Sequence, residues 1–432
     1  MTQARTDTAL LFSTRVSRLC AYGFLSVVLA LYLEEVGLSE AQIGLLLTLT
    51  LVGDAVLSLA ITTSADRLGR RRMLVLGAGM MTLAGAVFAF TRAPWLLMLA
   101  ATIGVISPSG NEIGPFLSIE QAALAQLLPD RRRTRVFAWY NLVGSFATAT
   151  GALGGGALAK VLQAAGRTPL LAYRTVVLGY ALFGVLLAAL FLVLSPRVES
   201  APATHRPGDR GPPNRILGLH RSRRTVTKLA GLFALDAFAG GLVVQSLLAY
   251  WFHIRFGADV GMLGRIFFGA NLLAGVSALL ADRLAARIGL VNTMVFTHIP
   301  SNLLLCLVPL MPNLPLAIGV LLLRFSISQM DVPTRQSYTM AIVAPDERSA
   351  AAGVTGIARS VGASVSPVLS GALLANPALL GLPFFLAGGL KIAYDLLLYR
   401  AFRRLKPPEE AARAAATGVE AIPDGGGSSQ RT

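Results

Sequence analysis

Apolar residues fall in long blocks along this 432-residue chain. A hydrocarbon core ~30 Å thick takes ~20 helical residues at 1.5 Å each. Runs of that length occupy about 12–33, 43–62, 73–91, 95–128, 136–159, 174–194, 227–251, 262–281, 290–308, 314–343, 349–374 and 383–402. They predict an all-α membrane protein with twelve transmembrane helices. Six lie on each side of a polar stretch, and short echoes tie the two sets together. Ala-Asp-Arg-Leu stands at Ala65–Leu68 and, 216 residues on, at Ala281–Leu284. Pro-Asp-x-Arg keeps the same register at Pro129–Arg132 and Pro345–Arg348. The expected architecture is two pseudo-symmetric six-helix bundles, 1–194 and 226–404. A basic linker (195–225) rich in Pro and Arg joins them, and a disordered tail (405–432) follows.

Composition sharpens this picture. Apolar residues make up 54% of the chain and charged residues only 14%, against ~25% charged in soluble domains. The net charge of +16 invites a nucleic-acid reading, but its placement argues otherwise. The segments that would share one side of the membrane, together with the adjoining ends of the runs, carry 28 of the 38 Lys and Arg. That bias orients both termini and the linker to the cytoplasm of a cell (inner) membrane, and no nucleic-acid partner is expected. Cys20 and Cys306 lie inside apolar runs and can build neither a disulfide framework nor a metal cluster. The basic start, with Arg5, Arg15 and Arg18, precedes a long run with no clear small-x-small cleavage site, so it reads as an uncleaved first helix.

Ionisable and polar groups within apolar runs are the candidate site residues, because each is costly there unless paired or wetted. The fourth run, at about 51 Å, is too long for one straight crossing. It is interrupted at Pro108–Pro115, which places Asn111 and Glu112 near mid-depth, with Glu120 and Gln121 nearer the cytoplasm. In the tenth run Arg324, Ser328, Asp331, Arg335 and Tyr338 keep within about 40° of one face, with Gln336 beside them. Asp331 and Arg335 are an i,i+4 pair, and Pro333 between them predicts a kink. Two arginines against one aspartate leave a surplus positive charge, favouring an anionic solute or a further carboxylate such as Glu112. Arg18 and Tyr22 share a face of span one; Asp54 lies deep in span two. Asn141 in span five, Asp236 and Gln245 in span seven, and Asn271, isolated on span eight, add polar groups. Lys391 and Asp395 read as a structural i,i+4 pair on the last span.

The loop Asp66-Arg67-Leu68-Gly69-Arg70-Arg71-Arg72, with Ala65 before it, resembles the signature loop of the major facilitator superfamily. Thr62 and Ser64 replace that signature's first Gly and its Leu. The second copy, around Asp282 and Arg283, is degenerate. The resemblance implies a cytoplasmic gate in which Asp66, Arg67, Gly69, Arg70 and Arg71 form a charge relay bracing one conformation. It further implies a secondary transporter working by alternating access. In span five, Gly151–Gly156 resembles the glycine-rich segment of the family's drug–proton antiporters but lacks its proline; Pro367 in span eleven, followed by Gly371, supplies an equivalent.

The combined expectation is a proton-coupled exporter of a small organic, anionic solute, acting as a monomer without a cofactor or metal. Asp54, Glu112 and Asp331 are the expected proton carriers. An uncoupled facilitator or an uptake symporter is the alternative. A receptor would need a signalling domain that neither linker nor tail supplies. ATP-driven transport would need a phosphate-binding Gly-x-x-x-x-Gly-Lys-[Ser/Thr] loop, which this sequence lacks. The four scattered histidines form no nucleophile–base pair, so no enzyme is expected.

Overall fold

A computed structural model describes residues 2–110, 116–128, 130–199, 219–344, 347–405 and 407. Sixteen α-helices among them make twelve crossings, because four crossings are broken in two. The first half contains α1 (Thr2–Ser26) with α2 (Leu29–Val36), α3 (Glu40–Leu68), α4 (Arg70–Phe90), α5 (Pro94–Ile103) with α6 (Phe116–Leu127), α7 (Asp130–Ala164) and α8 (Pro169–Val193). The second contains α9 (Arg223–Gly241) with α10 (Gln245–Phe256), α11 (Val260–Ile288), α12 (Leu290–Leu307), α13 (Leu314–Phe325) with α14 (Asp331–Ile342), α15 (Arg348–Leu374) and α16 (Leu382–Phe402). The broken crossings are the first, fourth, seventh and tenth, the same positions in each half. The first bends by 47°. Leu83, Phe90, Trp95 and Leu182, each more than half exposed on the outside of the first half, form the kind of surface that lipid covers.

The halves match closely, but not at the register of the sequence echo. α3 and α11 are each 29 residues long and start 220 residues apart. Each begins with a capping side chain: Ser39 accepts from the Gln42 N–H, and Asp259 from that of Met262. Each also ends at a glycine with positive φ, Gly69 at 100° and Gly289 at 88°, where a side chain would be strained. The 216-residue echo is therefore one helical turn out of structural register. Asp282 and Arg283 sit a turn inside the end of α11 and are exposed, whereas Leu68 ends α3.

Two expectations for the interrupted spans need correction. The tenth span breaks at 326–330, so its polar residues do not form one continuous stripe. Arg324 belongs to the end of α13, while Asp331, Arg335 and Tyr338 lie on α14. Pro333 sits in the first turn of α14, where a missing N–H costs nothing; the break precedes it. In the fourth span the break is present from Gly104, but Asn111 and Glu112 lie outside the described residues.

Contacts between the halves gather in the part of the molecule away from the termini. Ser26 accepts from Gln245 Nε2 at 2.8 Å, and Ser246 donates to the Ser26 and Pro108 carbonyls. Tyr250 lies 3.2 Å from Glu34 and 3.3 Å from Glu40, and Lys160 pairs with Asp259 at 3.1 Å. Two glycine seams close the sides. A methyl group on Gly44 would stand 2.6 Å from the Pro367 carbonyl oxygen and 2.8 Å from the Gly371 Cα. One on Gly156 would stand 2.6 Å from the Val260 carbonyl oxygen and 2.8 Å from the Gly264 Cα. The innermost of these contacts, Ser145 on Gly275, lies midway along α7 and α11. The molecule is thus sealed at one end, and the described contacts leave the halves apart on the side that carries the termini.

Gly44→Val should prise this seam apart. Cysteine labelling of Thr48, whose hydroxyl accepts the Val368 N–H at 2.9 Å, should become at least severalfold faster in that variant.

Candidate functional site

Each half holds an ion cluster built on its broken spans. In the first half Arg18 of α1 meets Glu120 of α6 in a bidentate pair, Nη1 to Oε1 at 2.8 Å and Nη2 to Oε2 at 2.7 Å. Both side chains are 0% exposed. Thr14 donates to Oε1 at 2.8 Å, and the Tyr140 hydroxyl of α7 donates to Oε2. The Arg18 guanidinium lies 4.8 Å from the centre of the Phe116 ring. Arg15 extends the bracing, donating to the Tyr140 carbonyl at 2.7 Å and to Asn141 Oδ1 at 3.2 Å. Three helices are pinned by one saturated carboxylate, the condition under which a buried charge is tolerated.

The second half reverses the polarity. α6 and α14 are both 12 residues long, and Glu120 and Arg335 are the fifth residue of each. Arg335 donates to Asp331 at 2.9 Å, the expected i,i+4 pair, and to Asp236 of α9 at 3.1 Å. Asp236 also accepts from Arg359 of α15 at 3.0 Å and from Lys391 of α16 at 2.5 Å. Arg335 lies 5.5 Å from the centre of the Phe233 ring on α9. Arginine on the earlier broken span and carboxylate plus phenylalanine on the later one have exchanged places. Asp236, read from sequence as a minor polar group, is the hub.

Other expected site residues fall elsewhere. Gln245 and Asn271 belong to the seam, Asn271 Nδ2 donating to Gln245 Oε1 at 3.1 Å, so Asn271 is not isolated. Tyr338 turns its hydroxyl to the Leu405 carbonyl at 3.0 Å, beyond the end of α16, and away from the cluster. Tyr22 is fully buried and Gln121 half-buried; Gln336 is exposed. Half-buried Asp54 accepts from Ser58 at 3.4 Å, and Arg324 stands 4.9 Å from the Phe325 ring centre. Lys391 and Asp395 do not pair with each other. Lys391 serves Asp236, and Asp395 lies 2.9 Å from His298 Nδ1. Asp236 supplies Arg335 with the further carboxylate, but it also holds Arg359 and Lys391. Arg359 and His298 were missing from the candidates, although an arginine inside the 349–374 run carries the same signal as Arg335.

On the side of the termini, carboxylates sit at helix starts, where backbone N–H groups and the helix dipole favour them. At Gly69–Arg71 the carboxylate is Glu199, accepting the Arg70 N–H at 2.6 Å and the Arg71 N–H at 3.2 Å. Arg70 donates to Gln126 and the Val198 carbonyl, and Arg71 to the Leu192 carbonyl. The signature loop is thereby tied within its own half; the side chains of Asp66 and Arg67 lie outside the described residues. At the start of α9, Glu347 accepts the N–H groups of His220, Arg221 and Ser222 at 2.6, 2.8 and 2.8 Å. Burial pushes the Glu347 carboxyl up, but these donors outweigh it and hold it at about 2, below the usual 4.5.

Two outcomes follow for stability. Arg18→Met should cost about 3–5 kcal/mol by stranding Glu120, and adding Glu120→Met should recover much of it; thermal unfolding in detergent reads both. Glu347 is depressed on folding, so its contribution is present above about 4.5 and lost as pH falls towards about 2. The gap in melting temperature between the parent and Glu347→Gln should therefore narrow across that window.

Comparison with known proteins agrees with this architecture. The family pattern of the Major Facilitator Superfamily matches residues 11–367. The uncharacterized membrane protein YJR124C of Saccharomyces cerevisiae is 34% identical over 428 residues, covering 91% of this chain and 94% of the yeast protein. A mutant form of the nucleoside transporter NupG superposes with a TM-score of 0.72 at 13% identity, covering 92% of this chain and 100% of that one. A D-xylose-proton symporter gives 0.67 at 16% identity, covering 91% and 97%. With two matched six-helix halves, four broken spans and a family pattern spanning most of its length, the chain belongs to the Major Facilitator Superfamily.

Proposed function

We propose that the chain is a proton-coupled symporter that carries a small polar organic solute between its two halves by alternating access. One observation carries the reading. Among the described residues of the second-half cluster, Arg359 is the cation left partly open, its side chain 36% exposed, while Asp236 and Lys391 are 4% and 10% exposed. A guanidinium held by a buried carboxylate can exchange that partner for a polar group of a solute at little net cost. Positive-inside placement makes the open side the cytoplasmic one.

The solute is polar rather than necessarily anionic, because Asp236 and Asp331 already neutralise Arg335. Symport is preferred to drug efflux because Gly151–Gly156 lacks the antiporter proline. Fold relatives include a D-xylose-proton symporter and a nucleoside transporter, which lends support to solute uptake. Monomeric function fits a site enclosed by the two halves of one chain.

The test is flux in proteoliposomes. A thermal-shift screen of sugars, nucleosides, short peptides and organic acids selects a radiolabelled probe. Symport predicts accumulation above equilibrium when the trans-membrane gradient drives protons in the same direction. Accumulation under the reversed gradient would mean antiport, and equilibration alone a facilitator; either overturns the reading. Arg359→Gln should reduce probe uptake by about tenfold, equivalent to about 1.4 kcal/mol.

A further inference from the structure

A histidine and an aspartate lie side by side in the second half, beyond the cluster that faces the open side. His298 of α12 is 5% exposed and Asp395 of α16 is 0% exposed, with Nδ1 and Oδ1 2.9 Å apart. Asn302, one turn along α12, donates Nδ2 to Asp395 Oδ2 at 3.2 Å. Its own Oδ1, and the hydroxyl of Ser301, are buried and meet no hydrogen-bond partner among the described residues. Buried polar atoms of this kind are ordinarily satisfied by water, and water next to the pair offers a proton path. Static bracing needs neither the histidine nor the unfilled acceptor.

The surrounding charges make the pair consequential. Lys391 and Tyr394 approach it on α16, the Tyr394 ring centre 6.1 Å from that of His298. Asp236 faces it from α9. Arg335 and Asp331 lie beyond on α14, Arg359 on α15 and Arg324 at the end of α13. The charged groups at the far end of α11, Asp282, Arg283 and Arg287, are exposed. With His298 neutral, Asp236, Asp331 and Asp395 face Arg324, Arg335, Arg359 and Lys391, so these groups already carry one surplus positive charge.

We infer that His298 and Asp395 form the binding site for the coupling proton. The proton forms an N–H bond at His298 Nε2 and comes from water on the open side; the Nδ1–H continues to donate to Asp395. This rests on the proton-coupled reading above. The proton adds a further positive charge to a low-dielectric interior that already holds a surplus, which is costly. The cluster sheds it through its most exposed cation: Arg359 leaves Asp236 Oδ2, which Arg335 retains. Arg359 rides on α15, the helix that carries Gly371 of the seam. Proton binding on α12 and α16 thereby loosens α15 from α9, the step that links the proton to movement of the halves.

The experiment uses the full chain in lipid nanodiscs, with the proton itself as probe. The chain has four histidines, so ¹⁵N-histidine spectra assign His298 by its loss in His298→Gln. Its resonance should move between the pH values at which uptake is measured, and Asp395→Asn should alter that movement. Spin labels at Leu68 and Ile288, exposed at the ends of α3 and α11, report the separation of the halves. The populations should change at least twofold over the same range in the parent and stay constant in both His298→Gln and Asp395→Asn. A His298 resonance that does not move, or pH-dependent separation that survives both variants, overturns the inference. Gradient-driven uptake separates the two claims. If the parent ignores the gradient while His298 titration still moves the halves, the symport reading falls and the proton site stands. If His298→Gln still follows the gradient, the site falls and symport stands.

Discussion

A charge held inside a low-dielectric slab must be met by an opposite charge within reach, and both halves of this protein are organised around that demand. Glu120 draws α1, α6 and α7 together through Arg18, Thr14 and Tyr140. Asp236 draws α9, α14, α15 and α16 together through Arg335, Arg359 and Lys391. Each half is consequently cross-braced internally, where lipid-like apolar packing alone would give little specificity. Relative motion is left to the surfaces between the halves.

The two clusters occupy equivalent places with inverted signs, and they differ in completeness. Around Glu120 every partner is buried and the carboxylate is saturated, which suits a fixed pillar. Around Asp236 one partner reaches the open side and a second ionisable pair lies behind. The pairs hold equivalent helix positions with opposite polarity, since a neutral pair is equally acceptable to the interior whichever helix carries the cation. The half with the incomplete cluster is the one in which the proposed solute and proton sites lie.

Much of this was legible in the sequence. Apolar run length set the twelve crossings, the prolines and glycines at 108–115 marked a broken span, and i,i+4 spacing gave the Asp331–Arg335 bond. These are local properties, written in spacing. The hub role of Asp236 was not legible, because its partners stand on three other helices and helical periodicity carries no information about which faces meet. Asn271 looked isolated for the same reason: its partner Gln245 is on a different span. The tenth-span stripe failed at Arg324 because 100° per residue holds only while the helix continues. The 216-residue echo misled by one turn because four common letters record ancestry, whereas capping residues and positive-φ glycines record where helices end.

The seams at Gly44–Gly371 and Gly156–Gly264 bring backbone against backbone with no side chain between them. Contacts at that range leave no room for a water molecule between the paired backbones. Yet each atom pair contributes only about 0.1–0.2 kcal/mol of dispersion, so the specific bonds to be broken are those beside the seams, such as Thr48 with Val368 and Lys160 with Asp259. Tightness and strength are thereby uncoupled along these two seams. A closure of that kind suits halves that must part and meet again.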